Sequence, residues 1–187
     1  FVLVNNFVLT YFLGICPIIG GTGSRGRAAG LGLAAALIMA VSALVTWALR
    51  TWVLGPLGVE FLQTFVFVVV VAALGYYLEL LVERTAPSLH RLVGRYLPVI
   101  STNCVVLGIV LVAARADYGA LESLVAGASA GAGYLLVAVV MASIRERLES
   151  EWIPRVFRGT PIVFISAGLM ALAFLAFDQA FLANLVG

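Results

Sequence analysis

Long apolar runs, separated by short clusters of arginine, glycine and proline, set the pattern of this chain. Six runs can be drawn: Phe1 to about Gly20, about Ala28 to Leu54, about Phe61 to Val82, about Tyr96 to Ala114, about Leu121 to Ile144, and about Ile162 to Leu182. None alternates with the period of two that a half-buried strand requires, and each is near the ~20 residues that carry a helix across a bilayer core. Backbone N–H and C=O groups must find internal partners in lipid, so only helices or closed barrels span it, and runs of this length are helices. The pattern predicts an all-α polytopic membrane protein with six transmembrane helices, a single integral membrane domain over residues 1–187.

Composition narrows the function classes. Of 187 residues, 63% are hydrophobic and 11% are charged, and the mean hydropathy is +1.14. A soluble domain carries about a quarter charged residues. No apolar-free stretch is long enough for a sizeable aqueous catalytic domain, and a net charge of +2 gives no basic surface for nucleic acid. The chain opens at Phe1 inside an apolar run with no basic segment or small-residue cleavage site, so it does not open on a signal peptide. Further N-terminal sequence, carrying the outer half of span one, is expected before it.

The cations give the orientation. All eleven are arginines. The loops after runs one, three and five hold nine of them (Arg25, Arg27, Arg84, Arg91, Arg95, Arg145, Arg147, Arg155 and Arg158), and the loops after runs two and four hold Arg50 and Arg115. Arginine accumulates on the cytoplasmic side. Both termini are therefore expected on the periplasmic side of a bacterial inner membrane.

A repeat lies beneath the spans. Cys16-Pro-Ile-Ile-Gly20 in span one and Cys104-Val-Val-Leu-Gly108 in span four share Cys-x-x-x-Gly, and Gly30-Leu-Gly32 and Gly131-Ala-Gly133 stand early in the spans that follow. Three helices per repeat is an odd number, so the halves (about 1–84 and about 88–187) would sit in opposite orientations. Inverted repeats put their sites near the midplane, on broken helices.

The cysteines fall at that depth. Cys16 lies nine residues before Arg25 and Cys104 nine residues after Arg95, which is ~13 Å along a helix in a core of ~30 Å. Both neighbourhoods are poor continuous helix: Gly14 and Pro17 bracket Cys16, and Pro98 with Ser101-Thr102-Asn103 leads into Cys104. Spans one and four thus read as broken at mid-membrane. One reading treats the thiols as small buried hydrophobes. The other is metal ligation, in which a structural zinc or an iron–sulfur cluster needs four ligands and this chain offers two. His90, the single histidine, sits among loop arginines and is a poor candidate. A second chain, either an identical copy or an inverted paralogue, would complete the set; an intrachain disulfide is the third option.

Other polar residues carry weaker signals. Asn5 and Asn6 inside span one need partners, as a cap or along an ion path. Glu79 and Asp178 are placed near interfaces, Trp47, Trp52 and Trp152 near span ends as anchors, and the charged stretch from Ile144 to Trp152 as a docking surface. Glycines 30, 32, 127, 131 and 133 read as sites of close helix packing.

At these residues the chain resembles a known family. Leu3-Val-Asn-Asn-Phe-Val-Leu9, Leu13-Gly-Ile-Cys-Pro17, Leu97-Pro-Val-Ile-Ser-Thr-Asn-Cys-Val-Val-Leu-Gly108, Ile144-Arg-Glu-Arg-Leu148, Pro154-Arg-Val-Phe-Arg-Gly159 and Ala167-Gly-Leu-Met-Ala-Leu-Ala-Phe174 carry the likeness. They are similar to the family that joins the A subunits of Rnf electron transport complexes with the E subunits of sodium-pumping NADH:quinone reductases. Asn5-Asn6 and Thr102-Asn103-Cys104 resemble the Rnf branch more than the quinone reductase branch, which remains the alternative together with a small inverted-repeat transporter or channel that carries no redox cofactor. Ile18-Ile19 and Ser101 depart from the usual family residues. The resemblance implies a component of a membrane enzyme complex, inactive alone, that moves electrons between ferredoxin and NAD with Na+ or H+ translocation. It implies a [2Fe–2S] cluster in mid-membrane, with Cys16 and Cys104 as two of its ligands and the others from a paralogous, inverted E-type partner. Asn5, Asn6, Thr102 and Asn103 become candidates for hydrogen bonds around it or for the ion path. Flavins and further iron–sulfur clusters would sit on the B, C, D and G components of the complex, where ferredoxin and NAD act.

Overall fold

The computed structural model describes residues 6–11, 13–21, 25–55, 62–85, 103–150, 154 and 159–175. These form seven α-helices: α1 (Phe7–Thr10), α2 (Ile15–Gly21), α3 (Arg25–Leu49), α4 (Gln63–Thr85), α5 (Cys104–Arg115), α6 (Ala120–Ser150) and α7 (Thr160–Leu175). A π-helical turn, Arg50–Leu54, continues α3. No strand occurs among the described residues.

Two helices are long and apolar enough to cross a bilayer, Arg25–Leu54 and Ala120–Leu148; Gln63–Tyr77, Cys104–Arg115 and Pro161–Phe174 are shorter apolar stretches. The two long helices form the centre of the fold. A side chain at Gly32 would meet the Leu135 backbone at 2.8 Å, one at Gly131 would meet Ala36 Cα at 2.5 Å, and one at Gly127 would meet the Met39 carbonyl at 2.8 Å. Each step of four residues along α3 is matched by four in the reverse direction along α6, so the pair is antiparallel. Between apolar helices in lipid the association rests on close backbone approach rather than on hydrophobic exclusion of water, and small residues every fourth position permit it.

The remaining core collects on this pair. Leu31, Ala35, Ile38 and Met39 of α3 meet Ala130, Tyr134, Val137 and Met141 of α6, with Val105, Val106, Ile109 and Val110 of α5, Phe67 and Val71 of α4, and Val163 and Met170 of α7 packed around them. Outward positions are as apolar as the core. Leu33, Leu37, Val41 and Leu44 of α3 are exposed, as are Phe164, Leu169 and Leu172 of α7. Such a surface is incompatible with water over so large an area and suits lipid or another membrane chain.

Both ends of the central pair are tied by ions. At one end Glu146 bonds both the Arg25 backbone N–H (3.0 Å) and its guanidinium (2.6 Å), beside Arg27, Arg145 and Arg147. At the other, Arg50 pairs with Asp117, near Arg115. The arginine-rich and arginine-poor ends expected from the sequence thus belong to opposite ends of one helix pair. Asp117 ends α5: it takes a left-handed φ of 53°, and Tyr118 N–H reaches back to the Ala113 carbonyl at 3.2 Å, which satisfies carbonyls the helix end would strand. The Glu122 carboxylate accepts from Gly119 N–H at 2.9 Å and so closes the first turn of α6.

Two boundaries differ from the sequence reading for physical reasons. Pro17 does not interrupt span one. It lies in the first turn of α2, where its missing N–H has no partner to lose, and the interruption comes earlier, at Leu13 and Gly14, with Gly14 at φ +77°. Helix α6 runs on through the charged stretch to Ser150, because arginine, glutamate and leucine are good helix formers and a membrane surface does not itself end a helix. Asn5, Thr102, His90, Trp152 and Asp178 lie outside the described residues.

Candidate metal centre

Two short helices start at asparagines. The Asn6 Oδ1 atom accepts from Val8 N–H at 3.1 Å, and the Asn103 Oδ1 atom accepts from Val105 N–H at 3.2 Å. The backbone carbonyls take further turns: that of Asn6 accepts from Thr10 N–H at 2.8 Å, and that of Asn103 from Val106 N–H at 3.0 Å. Asn103 is extended (φ −71°, ψ 126°), the conformation of a helix N-cap. In each case the side chain satisfies a helix donor that would otherwise be buried without a partner.

Both caps lie against one point of α6. Asn6 Nδ2 donates to the Gly133 carbonyl at 3.3 Å, and the Asn103 side chain lies beside that of Tyr134. Gly14 closes the gap between the two broken segments. A Cβ there would overlap Val105 Cγ2 and stand 2.7 Å from Asn103 Oδ1, so only glycine allows the approach, and its φ favours glycine as well. Cys16 follows Gly14 by two residues and Cys104 follows Asn103 directly. Residues 88 positions apart in sequence therefore arrive at one neighbourhood.

The thiols are free and exposed. On α5 the buried residues are Val105, Val106, Ile109, Val110, Ala113 and Ala114; Cys104 stands on the opposite side, over half-buried Gly108 and Leu111. Packing of small hydrophobes would put the sulfurs inward, and here they face out. Among the described residues no group of three or more His, Cys, Asp or Glu side chains could hold a metal by itself.

The donor set fits half of a shared soft-metal site. Two thiolates suit zinc or iron–sulfur chemistry and leave two positions to another chain. Cys104 occupies the first turn of α5, where the positive end of the helix favours anionic ligands. Asn103 Nδ2 is buried and, among the described residues, makes no hydrogen bond although the Tyr134 side chain adjoins it. It is a spare donor at the place where a cluster sulfur would need one. A surface cleft lined by Trp47, Arg50, Gln63, Asp117 and Tyr118 lies elsewhere, at the Arg50 end of α3.

The structure brings together Asn6, Cys16, Asn103 and Cys104. Glu79 is in α4 and away from this cluster in sequence and element, and Trp52 is 76% exposed at the far end of α3. Two contributors escaped the sequence reading. Tyr134 is 1% exposed and sits in an otherwise apolar and glycine-rich part of span five; a lone phenol there is the one signal that could have marked it. The Gly133 carbonyl had none.

This chain has relatives that match it along nearly its whole length. A family model described as Rnf-Nqr subunit, membrane protein, matches residues 1–180. The A subunit of the ion-translocating oxidoreductase complex of Serratia proteamaculans is 45% identical over 94% of this chain and 91% of its own length. That of Pseudomonas paraeruginosa is 46% identical over 95% and 92%. The A subunit of the Na(+)-translocating ferredoxin:NAD(+) oxidoreductase complex of Acetobacterium woodii is 42% identical over 95% and 92%. With nearly full-length matches on both sides, the chain belongs to the Rnf-Nqr family of membrane protein subunits.

Proposed function

We propose that this chain is the A-type membrane component of an ion-translocating ferredoxin:NAD oxidoreductase complex, and that Cys16 and Cys104 bind half of a [2Fe–2S] cluster. The other half belongs to a paralogous partner of opposite orientation. The observation that carries the reading is the meeting, at Gly14 and Asn103, of the interrupted segment that leads into Cys16 and the asparagine-capped helix that starts at Cys104, with both thiols exposed. The names of the relatives support the complex.

Tyr134 marks the depth. It lies about 18 Å along α6 from Glu146 and about 21 Å from Ala120, at ~1.5 Å per residue, midway between the ends that the two ion pairs mark. A cluster held there would supply one-electron transfer across the insulating middle of the membrane. The chain's own residues hold two thiolates, turn the Cys104 sulfur to the outside of α5, and place a buried amide donor at its base. Cys-to-Cys symmetry and the antiparallel central pair support six spans in two inverted repeats, about 1–84 and 88–187, with both termini periplasmic. Coupling to Na+ or H+ belongs to the same reading: adding an electron to a buried site raises its demand for a nearby cation, because an uncompensated charge is costly in a low dielectric. Flavins, other clusters and the ferredoxin and NAD sites fall to the B, C, D, E and G components.

The test replaces Cys16 or Cys104 with serine in the assembled complex and records EPR and visible spectra. Loss or replacement of one [2Fe–2S] signal is expected. Unchanged spectra in both variants overturn the assignment, and absence of iron from the wild-type pair of paralogues would favour a transporter instead.

A further inference from the structure

The Arg50–Asp117 pair stands in a cleft that the metal centre does not use. Its walls are Trp47 of α3, Arg50 and Thr51 of the π-helical turn, Gln63 of α4, and Asp117 and Tyr118 at the corner between α5 and α6. Among the described residues the guanidinium is held by Asp117 through one nitrogen, which leaves most of its five donors open. The Asp117 side chain is 78% accessible and engages Arg50 through one oxygen. Exposed apolar side chains flank these charges: Trp52 and Val53 of the turn, Leu62 and Phe65 beside Gln63, and Leu121 at the start of α6. A cleft with that rim opens at the edge of the hydrocarbon, the level at which Trp and Tyr rings gather and lipid headgroups face the protein.

We propose that this cleft binds the headgroup of a phosphatidylethanolamine, its phosphate on Arg50 and its ammonium on Asp117. Charge selects that headgroup. Besides Arg50, the corner carries Arg115, Asp117 and Glu122, so two cations stand with two carboxylates and the patch is neutral as a whole. A purely anionic headgroup would gain the guanidinium and face the carboxylates. A headgroup with both signs lies head to tail against the ion pair, each charge on its opposite, and the pair need not open. Below the cleft, Leu37, Val41 and Leu44 are exposed along one face of α3, and their spacing of four and three gives an acyl chain a continuous apolar track. A lipid seated there fastens the ends of α3 and α4 to the α5–α6 corner, where an exposed ion pair alone adds little. The site stands whether or not a cluster is bound at Cys16 and Cys104.

The experiment delipidates the whole complex in detergent, offers it phosphatidylethanolamine, phosphatidylglycerol and phosphatidylcholine in equal amounts, and reads the retained lipids by native mass spectrometry. The wild type should retain phosphatidylethanolamine over the other two, since phosphatidylglycerol has no ammonium and the ammonium of phosphatidylcholine has no N–H. Arg50→Gln and Asp117→Asn should each retain one phosphatidylethanolamine fewer per copy of this chain. Asparagine tolerates the left-handed backbone at position 117, so Asp117→Asn decides alone if Arg50→Gln fails to assemble. The same number of phosphatidylethanolamines in wild type and variants overturns the site. Retention of phosphatidylglycerol or phosphatidylcholine in equal measure at the position the variants lose overturns the headgroup assignment. Loss of another subunit from the variants, in place of a lipid, overturns the proposal in favour of a protein partner at this cleft.

Discussion

The side-chain amide of Asn6 donates to the carbonyl of Gly133 at 3.3 Å, across 127 positions of sequence, while its oxygen caps the turn at Val8. One residue thus caps α1 and fastens it to the central helix. Asn6→Ala removes both bonds and leaves the Val8 N–H without its cap. A loss of about 1–3 kcal/mol is expected from the cap and the unsatisfied groups, seen as a lower melting temperature of the purified complex. Asn6→Ser, which can cap but cannot reach Gly133, should recover part of it.

Gly14→Ala tests the approach of the two cysteine segments. The new Cβ would overlap Val105 Cγ2 and Asn103 Oδ1, at φ +77°. The left-handed backbone alone costs about 1–2 kcal/mol with a side chain, and the displacement of Asn103 removes the cap of α5. The expected result is a complex that assembles poorly and carries less iron per protein, measured by metal analysis.

Two other glycines offer a matched contrast. Gly131→Ala puts a methyl group 2.5 Å from Ala36 Cα, inside the α3–α6 seam, and overpacking of that kind costs about 1–3 kcal/mol. Gly168 is also helical but has nothing within 4 Å of the added atom. There alanine should be neutral or stabilising by up to about 1 kcal/mol. Thermal unfolding of both variants in the same detergent checks the order; equal effects would contradict the seam.

The Arg50–Asp117 pair is mostly exposed, with the Asp117 side chain 78% accessible. An exposed pair contributes about 0–1 kcal/mol, whereas the left-handed φ of 53° costs Asp117 a comparable amount. Asp117→Gly loses the pair and relieves the backbone, so its melting temperature should stay within a degree or two of wild type. Asp117→Ala loses the pair without relief and should melt lower.

Much of this was legible from residue pattern. Spans two and five are long and almost uncharged, and α3 and α6 run where those runs lie, because in lipid the apolar length and the helix length are the same constraint. Asn103 before Cys104 could be read as a polar substitute for a broken helix turn, and it is the N-cap. Pro17 misled, since a proline one turn into a helix looks in sequence like a proline that stops one. The long-range contacts of Tyr134 and of the Gly133 carbonyl were hidden for another reason. They run over 31 and 127 positions, and local patterning holds no information about which apolar helix will meet which.

The Gly32·Leu135, Ala36·Gly131 and Ala40·Gly127 contacts have a geometry that reads the same from either helix. That is the form of an isologous interface, the kind two identical protomers make about a twofold axis. A half-length chain inserted in the membrane in both directions could build this crossing with a second copy of itself. Here it is covalently closed within one polypeptide. Once closed, the two sides of the seam are free to diverge.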